Sequence, residues 1–280
     1  MPASLPAADP PDRSTWRATA LVQGSLALHV AALATVVARP GSWPWALGAV
    51  VADHLFISAG GLLPRSEVLG PNLTRLPPSA GACVALTVDD GPDPEVTPRL
   101  LALLETHRVR ATFFCIGAQV RAQPGLAREI LARGHALENH SEHHLHRFSL
   151  LGPRAMANEV QRAQDSIAAV TGTVPQFFRA PAGLRNPFLE PVLARNRLRL
   201  VSWTRRGFDT VSREPAAILR RLTRRLAPGD ILLVHDGHAA RTAAGTAVVL
   251  EVLPRLLAML AARSLACVTL ADALALGRPA

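Results

Sequence analysis

Residues 84–116 read VALTVDDGPDPEVTPRLLALLETHRVRATFFCI, and this stretch decides the fold. Two short apolar runs, at 84–88 and 111–116, predict buried strands. The segment between them, 95–107, is a helix candidate. A strand, a helix and a second strand in this order predict a parallel sheet with covering helices.

The same alternation continues toward the C-terminus. Further strand candidates are 136–138, 176–179, 198–203, 230–234 and 266–270, and further helix candidates are 124–133, 153–170, 187–196, 214–227 and 245–263. Seven strands within one α/β region favour a closed or nearly closed barrel over a bundle or a sandwich. We therefore expect an α/β barrel domain over residues 83–275.

Polar residues follow five of the strand candidates at the points where those strands end. They are Asp89 and Asp90, His140 and His144, Arg179, Asp209, and His235. In a parallel α/β barrel the carboxyl ends of the strands meet at one rim, where active sites are built. The sequence therefore predicts one site that collects these seven side chains.

The spacing of His140 and His144 is typical of a metal site. On a helical turn, two histidines four residues apart place both imidazoles on one face. A carboxylate from Asp89 or Asp90 would complete a ligand set of two histidines and one aspartate. The alternatives are a solvated histidine-rich loop, and a turn or helix cap for the aspartates.

Four motifs in order carry a family resemblance: TVDDG at 87–91, HSEHH at 140–144, RAPAG at 179–183 and LVH at 233–235. Over about residues 83–272 the chain resembles the NodB-homology polysaccharide deacetylases, carbohydrate esterase family 4. The resemblance implies a distorted (β/α)7 barrel. It also implies a divalent cation and an N-acetylated or N-formylated amino-sugar substrate. The expected cation is Zn²⁺, with Ni²⁺, Co²⁺ or Mn²⁺ as alternatives.

The resemblance also implies a role for each motif residue. Asp89 would be the general base, and Asp90, His140 and His144 would bind the metal. Arg179 would orient Asp89, and His235 would protonate the leaving amine. In the less regular motifs, Asp209 would hold His235 or Arg179, a backbone N–H near Ala182 would bind the oxyanion, and Trp203 would border the substrate.

Two motifs depart from the family pattern. Ala182 stands where an aromatic residue is common, which removes a side-chain wall but keeps the backbone N–H. Arg206 replaces an acidic residue that is often found upstream of Asp209, and Thr210 replaces a tryptophan that often follows it. These changes put the identity of the substrate in doubt more than the catalysis.

The N-terminal part of the chain predicts a membrane anchor. We expect a loose tail over 1–18, two transmembrane helices within 19–63, and a proline-containing linker over 64–82. Asp53 and His54 interrupt the second apolar stretch, and ionisable residues inside a span often mark function. A re-entrant or interfacial segment is the alternative for that stretch.

The arginines around the two apolar stretches bear on the side of the membrane. Arg13 and Arg17 precede them, Arg65 and Arg75 follow them, and only Arg39 lies between. This asymmetry favours a tether in the inner membrane with the catalytic domain on the cytoplasmic face. Many relatives in the family that this chain resembles work outside the cytoplasm, which leaves the opposite side open.

Composition argues against a nucleic-acid partner despite the net charge of +9. All 30 basic residues are arginine, a uniform bias that does not mark one binding surface. Aromatic residues make up only 4% of the chain, so the stacking platforms of single-strand binders are not expected. The expected partners are an amino-sugar glycan or glycolipid and membrane lipid. The alternatives are a catalytically silent carbohydrate-binding protein on the same barrel and another metal hydrolase, such as an O-deacylase or a phosphoesterase.

Overall fold

The computed structural model describes residues 16–276, so residues 1–15 of the predicted tail lie outside the described part. The strands are β1 (Cys83–Asp89), β2 (Thr112–Cys115), β3 (Ala136–Asn139), β4 (Phe177–Phe178), β5 (Arg199–Leu200), β6 (Arg205–Arg206), β7 (Ile231–His235) and β8 (Ala266–Val268). All the pairings between these strands are parallel.

Ten α-helices are present in the described residues. They are α1 (Ala20–Ala38), α2 (Trp43–Leu62), α3 (Val96–Thr106), α4 (Gly117–Ala122), α5 (Pro124–Ala132), α6 (Pro153–Thr171), α7 (Leu189–Arg195), α8 (Pro215–Thr223), α9 (Val248–Ala262) and α10 (Leu270–Leu276). From β1 onward, helices follow the strands as the sequence predicted, except that β2 is followed by two helices and that no α-helix separates β5 from β6.

The sheet curls into an open barrel around its central strand. The strand order is β5-β4-β3-β2-β1-β7-β6, and β8 pairs with the first half of β1. All seven residues of β1 are buried, because the strand is covered on both faces. The expected α/β barrel of the NodB-homology type is confirmed as a curled half-barrel of parallel strands.

Two local predictions from the sequence were wrong. Residues Arg205 and Arg206 form an eighth strand that a search for apolar runs could not detect, since both residues are charged. The turn from His140 to His144 is not helical, because Ser141 and His144 have φ angles of 64° and 50°. The two histidines come together through this loop instead of a helix face.

Residues 64–82, expected to be a linker, pack against the open side of the barrel. Leu73 exchanges backbone hydrogen bonds with the strand-end residues Leu200 and Ser202, at 2.9 and 3.0 Å. The Leu76 N–H donates to the carbonyl of Gly229 at 2.8 Å. The segment therefore lies between the two free edges of the sheet, and Leu69, Leu76 and Ala80 are buried in it.

Helices α1 and α2 form a hairpin ahead of the barrel. Both are long and apolar enough to cross a membrane by length and composition, and no residue of α1 is buried. The Ser25 hydroxyl donates to Asp53 Oδ2 at 2.7 Å, and the Nε2 atoms of His29 and His54 lie 3.1 Å apart. Asp53 and His54 therefore face α1, where they hold the two helices together.

Candidate metal centre and active site

The strand ends deliver the predicted residues to one cavity of about 760 Å³. Asp89 is the last residue of β1, the loop after β3 carries both histidines, and His235 is the last residue of β7. The following predicted residues line the cavity: Asp89, Asp90, His140, His144, Ala182, Trp203 and His235. Arg179 and Asp209 are buried behind this wall.

The turn after β1 separates the two neighbouring carboxylates. Asp90 has a φ of 80°, which a non-glycine residue rarely adopts. Gly91 follows directly, and a Cβ atom at that position would overlap the Asp236 carboxylate. The turn aims Asp89 toward Arg179 and aims Asp90 toward the histidines, so the two carboxylates have different partners.

Asp90, His140 and His144 form a compact group of possible metal ligands. Asp90 Oδ1 lies 3.2 Å from His140 Nε2 and 3.3 Å from His144 Nε2. The His140 Nδ1–H donates to the backbone carbonyl of Arg179 at 2.8 Å, so its Nε2 presents a lone pair. Asp90 Oδ1 is buried and accepts no hydrogen bond from the described residues, which fits an oxygen that binds a cation.

The ionisation of this group also suits a cation. Burial raises the pKa of Asp90, but the neighbouring imidazoles of His140 and His238 more than reverse this, so its pKa lies below the ordinary value. Burial and the nearby His140 lower the pKa of His144 to about 4, against the opposing effect of the two aspartates. A carboxylate and a neutral imidazole are the forms that bind divalent metals.

Arg179 fixes the Asp89 carboxylate. Its guanidinium donates to Asp89 Oδ1 at 2.6 Å, to Thr87 Oγ1 at 2.8 Å and to the Ser202 carbonyl at 3.0 Å. The side chain is only 1% exposed and lies over the Phe114 ring. Burial lowers the pKa of Arg179, and the adjacent Asp89 opposes that effect, so the two form a buried ion pair with fixed geometry.

Asp209 holds His235 through two hydrogen bonds. The His235 backbone N–H donates to Asp209 Oδ2 at 2.7 Å, and its Nδ1 lies 2.9 Å from Asp209 Oδ1. Burial lowers the pKa of His235, but the attraction of the Asp209 carboxylate outweighs it and raises the pKa to about 9. The imidazole is therefore protonated at neutral pH, with Nε2 free to donate a proton.

Ala182 and Trp203 both line the cavity. Ala182 has a φ of 55°, and Trp203 is 8% exposed. Between them, Gly183 packs so closely on the indole ring that a Cβ atom there would overlap it. The RAPAG motif at 179–183 and the irregular segment around Trp203 thus meet at the cavity.

The cavity also contains charged or titratable residues that were not assigned to the site from the sequence, among them His238, Arg147 and Arg206. His238 Nδ1 lies 3.2 Å from Asp90 Oδ2, and Arg147 and Arg206 also line the cavity. The motif HDGH at 235–238 places His238 in the loop after β7, so its proximity could have been anticipated. Arg147 gave no signal, because it lies in a loop seven residues beyond His140.

A second group with metal-binding side chains, His29, Asp53 and His54, lies between the helices of the hairpin. Asp53 already accepts the Ser25 hydrogen bond there, and the histidines contact each other. The hairpin group is therefore accounted for by contacts between the two helices, whereas the barrel group has an unsatisfied oxygen.

The fold and this cavity define an α/β-barrel protein with a group of possible metal ligands at the carboxyl ends of its strands. The family model "Polysaccharide deacetylase" matches residues 77–201. A chitooligosaccharide deacetylase from Bradyrhizobium is 37% identical over 163 residues, which are 55% of this chain and 71% of the relative. A peptidoglycan-N-acetylglucosamine deacetylase from Bacillus cereus is 32% identical and covers 64% of this chain and 84% of the relative.

A solved structure of the same family has a similar fold. It is a mutant of a pseudoenzyme of carbohydrate esterase family 4 from Bacillus anthracis, with restored enzymatic activity. It superposes with a TM-score of 0.65 at 26% identity, covering 73% of this chain and 71% of that chain. The chain belongs to the polysaccharide deacetylase family, whose hydrolases act on the amide bond of N-acetylated amino sugars.

Proposed function

We propose that this protein removes an acetyl or formyl group from the nitrogen of an amino sugar in a polysaccharide or a lipid-linked glycan. The observation that carries the proposal is the arrangement around one cavity. A buried and unsatisfied Asp90 oxygen lies between two imidazole nitrogens, and Asp89 and His235 line the same space.

One divalent cation completes the site in this proposal, held by Asp90, His140 and His144. Two imidazoles and one carboxylate suit Zn²⁺, and Ni²⁺, Co²⁺ and Mn²⁺ accept the same donors. When bound, the cation supplies Lewis-acid activation of water and of the amide carbonyl. The protein groups around it carry out the proton transfers.

Asp89 is the proposed general base. Its Oδ1 is fixed by Arg179, while its Oδ2 lies 3.7 Å from His140 Nε2, beside the proposed cation. A carboxylate held in this position takes the proton of the attacking water. Arg179 contributes by keeping the carboxylate oriented.

His235 is the proposed general acid. Its protonated imidazole lines the cavity from β7, where His235 is the register partner of Asp89, and it gives a proton to the departing sugar amine. Asp209 keeps that proton in place until the C–N bond breaks. The backbone N–H near Ala182 is the proposed donor to the oxyanion, and Trp203 borders the sugar.

The hairpin of α1 and α2 is the proposed membrane anchor. The segments have the length of bilayer spans, and the arginine asymmetry favours an inner-membrane location with the barrel on the cytoplasmic face. On that face the enzyme would meet lipid-linked amino sugars.

The experiment that tests the proposed function measures the released carboxylic acid. The metal-loaded full chain is incubated with N-acetylated and N-formylated amino sugars, each supplied free and lipid-linked. We expect formate or acetate from at least one of them, loss of release with a chelator, and recovery when the cation returns. An O-acetylated sugar in parallel distinguishes an O-deacylase.

Two results would contradict the proposal. Acid release only from the O-acetylated sugar would make the protein an esterase. Binding of amino-sugar glycans without any acid release from the metal-loaded chain would make it a silent carbohydrate-binding protein. The second result has a precedent in the family, which includes a pseudoenzyme.

A further inference from the structure

Two arginines line the catalytic cavity and take no part in the proposed mechanism. Arg206 belongs to β6, and Arg147 lies in the loop that follows the metal-binding histidines. Neither side chain forms an ion pair or a side-chain hydrogen bond with any other residue between 16 and 276. Such groups are ready to bind a negatively charged ligand.

The Arg206 guanidinium is held in place by aromatic rings. Its central carbon lies 5.3 Å from the centre of the Trp203 ring and 5.0 Å from the centre of the Phe208 ring. These contacts orient the planar group without using its hydrogen-bond donors. The Nε atom is buried and has no hydrogen-bond acceptor among the described residues, which is a cost that a bound anion would relieve.

The carboxylates of the cavity do not neutralise this charge. Asp89 is already paired with Arg179, and Asp90 lies among the imidazoles of the proposed metal site. Arg205, the neighbour of Arg206 in β6, shows the contrast, because its Nε donates to Asp230 at 2.8 Å. Of the two arginines in β6, only Arg206, which lines the cavity, has no carboxylate partner among the described residues.

The position of Arg206 places this charge next to the reacting groups. Arg206 pairs in register with Leu233 of β7, two residues before His235. At about 3.3 Å per residue, the register position of Arg206 and that of His235 are separated by roughly 7 Å along the strand direction. An anion bound by Arg206 would therefore lie close to the proposed site of the leaving amine.

We propose that Arg206 forms an anion-binding subsite that selects amino-sugar glycans carrying a phosphoryl or carboxyl group beside the N-acylated sugar. The inference rests on the proposed deacylase function of this cavity and adds the charge class of its substrate. The guanidinium fork pairs with the two oxygens of a phosphate or a carboxylate. Arg206 stands where the family often has an acidic residue upstream of Asp209, and this replacement gives the cavity its preference for an anionic substrate.

The test compares anionic and neutral substrates in the metal-loaded full chain. The neutral probe is N-acetylchitotetraose. The anionic probes are an N-acetylglucosaminyl phosphodiester on a short alkyl chain, the same phosphodiester on a prenyl chain, and a disaccharide that contains N-acetylmuramic acid. The measured quantity is the ratio of kcat/KM between each anionic probe and the neutral one.

We expect Arg206→Gln to lower that ratio roughly tenfold or more for the preferred anion, and Arg206→Lys to lower it less, since it keeps the charge but loses the fork. Arg220→Gln, an exposed arginine of α8, is the matched control and should leave the ratio unchanged. The short and prenyl phosphodiesters separate recognition of phosphate from recognition of lipid. An equal ratio in Arg206→Gln and in the parent protein would overturn the inference.

Glycan binding measured in the Asp89→Asn variant, with and without Arg206→Gln, separates this inference from the proposed function. Calorimetry with the same four glycans does not require turnover. If the parent releases no acid but Asp89→Asn binds an anionic glycan more tightly than the neutral one, and Arg206→Gln removes that difference, the subsite stands and the deacylase proposal fails. Equal binding of all four glycans would overturn the subsite.

Discussion

At the scale of the single residue, Asp209 sets the protonation state of His235. The histidine is buried, and burial alone would leave its imidazole neutral at pH 7. Two hydrogen bonds to one carboxylate reverse that outcome and raise the pKa to about 9. The proposed general acid is therefore charged throughout the neutral range.

Substitution of Asp209 by Asn should move the alkaline limb of the kcat/KM profile to lower pH. The amide keeps a hydrogen bond but loses the charge that raises the His235 pKa from the ordinary value of about 6.5. The pH profile of acid release measures this shift. Asp165→Asn, an exposed aspartate of α6, is the control and should leave the profile in place. An unchanged alkaline limb in Asp209→Asn would remove Asp209 from this role.

The same pair also links stability to pH. Because the folded pKa of His235 lies above the unfolded value, the stabilisation is complete below pH of about 6.5 and is lost as the pH rises through about 9. Unfolding measured across this range should show a smaller loss of stability with pH in Asp209→Asn than in the parent protein.

The strand pattern alone led to seven of the nine predicted site residues, because each ends or follows a strand candidate. Ala182 and Trp203 came from the family resemblance, and the roles of all nine stay predictions. A parallel sheet brings such positions together whatever the details of the loops. Arg147 and Arg206 were missed because no apolar strand pattern marked their positions, whereas His238 follows the strand candidate 230–234 and could have been anticipated. Arg206 in particular belongs to a two-residue strand that only its pairing with Leu232 and Leu233 reveals.

At the scale of the element, the end of α2 joins the hairpin to the barrel through a close backbone contact. The Arg185 N–H donates to the Gly61 carbonyl at 3.1 Å, and a Cβ atom on Gly61 would overlap the Arg185 carbonyl oxygen. The guanidinium of Arg185 in turn reaches the carbonyl oxygens of Ser66 and Gly70. The helix is thus attached directly to the loop that follows the third motif.

Gly61→Ala should weaken this junction, whereas Gly48→Ala in the same helix should not. Overlap with backbone typically costs about 1–3 kcal/mol, and no atom lies within 4 Å of the position that a Cβ would take at Gly48. The free energy of unfolding in detergent measures the difference. Equal free energies of unfolding for the two variants would show that the junction accommodates the added methyl group without loss of stability.

The short elements limited what the sequence could predict. The apolar windows at 176–179 and 198–203 located β4 and β5, but each of these strands has only two residues. The histidine loop after β3 was expected to be helical from its spacing alone. The loop that contains the left-handed residues Ser141 and His144 is held by tertiary hydrogen bonds, such as that from the Gly117 N–H to the Ser141 carbonyl at 3.0 Å, and no local pattern encodes them.

At the scale of the whole molecule, residues 64–82 belong to the barrel by their contacts. This segment lies between β5 and the residues that precede β7, and it supplies buried apolar side chains at Leu69, Leu76 and Ala80. Its prolines suggested a linker, because the sequence does not show that the sheet stays open at this side. From these contacts we propose a domain boundary near residue 63.

Two truncations test that boundary. Removal of residues 1–63 should release the protein from the membrane fraction and leave a folded barrel. Removal of residues 1–82 should also uncover the gap in the sheet and lose roughly 3–6 kcal/mol from the burial of Leu69 and Leu76. Thermal unfolding of the two shortened chains measures the difference. Equal melting temperatures would indicate that residues 64–82 are a linker, as the sequence predicted.

The central claim is that Asp89 acts as the base beside a cation held by Asp90, His140 and His144. Its most direct test is acid release from an N-acylated amino sugar by the parent protein and by Asp89→Asn, with bound metal quantified in the same samples. We predict equal metal content, near one cation per barrel, and turnover lowered by at least about a hundredfold in the variant. Equal turnover at equal metal content would contradict the account.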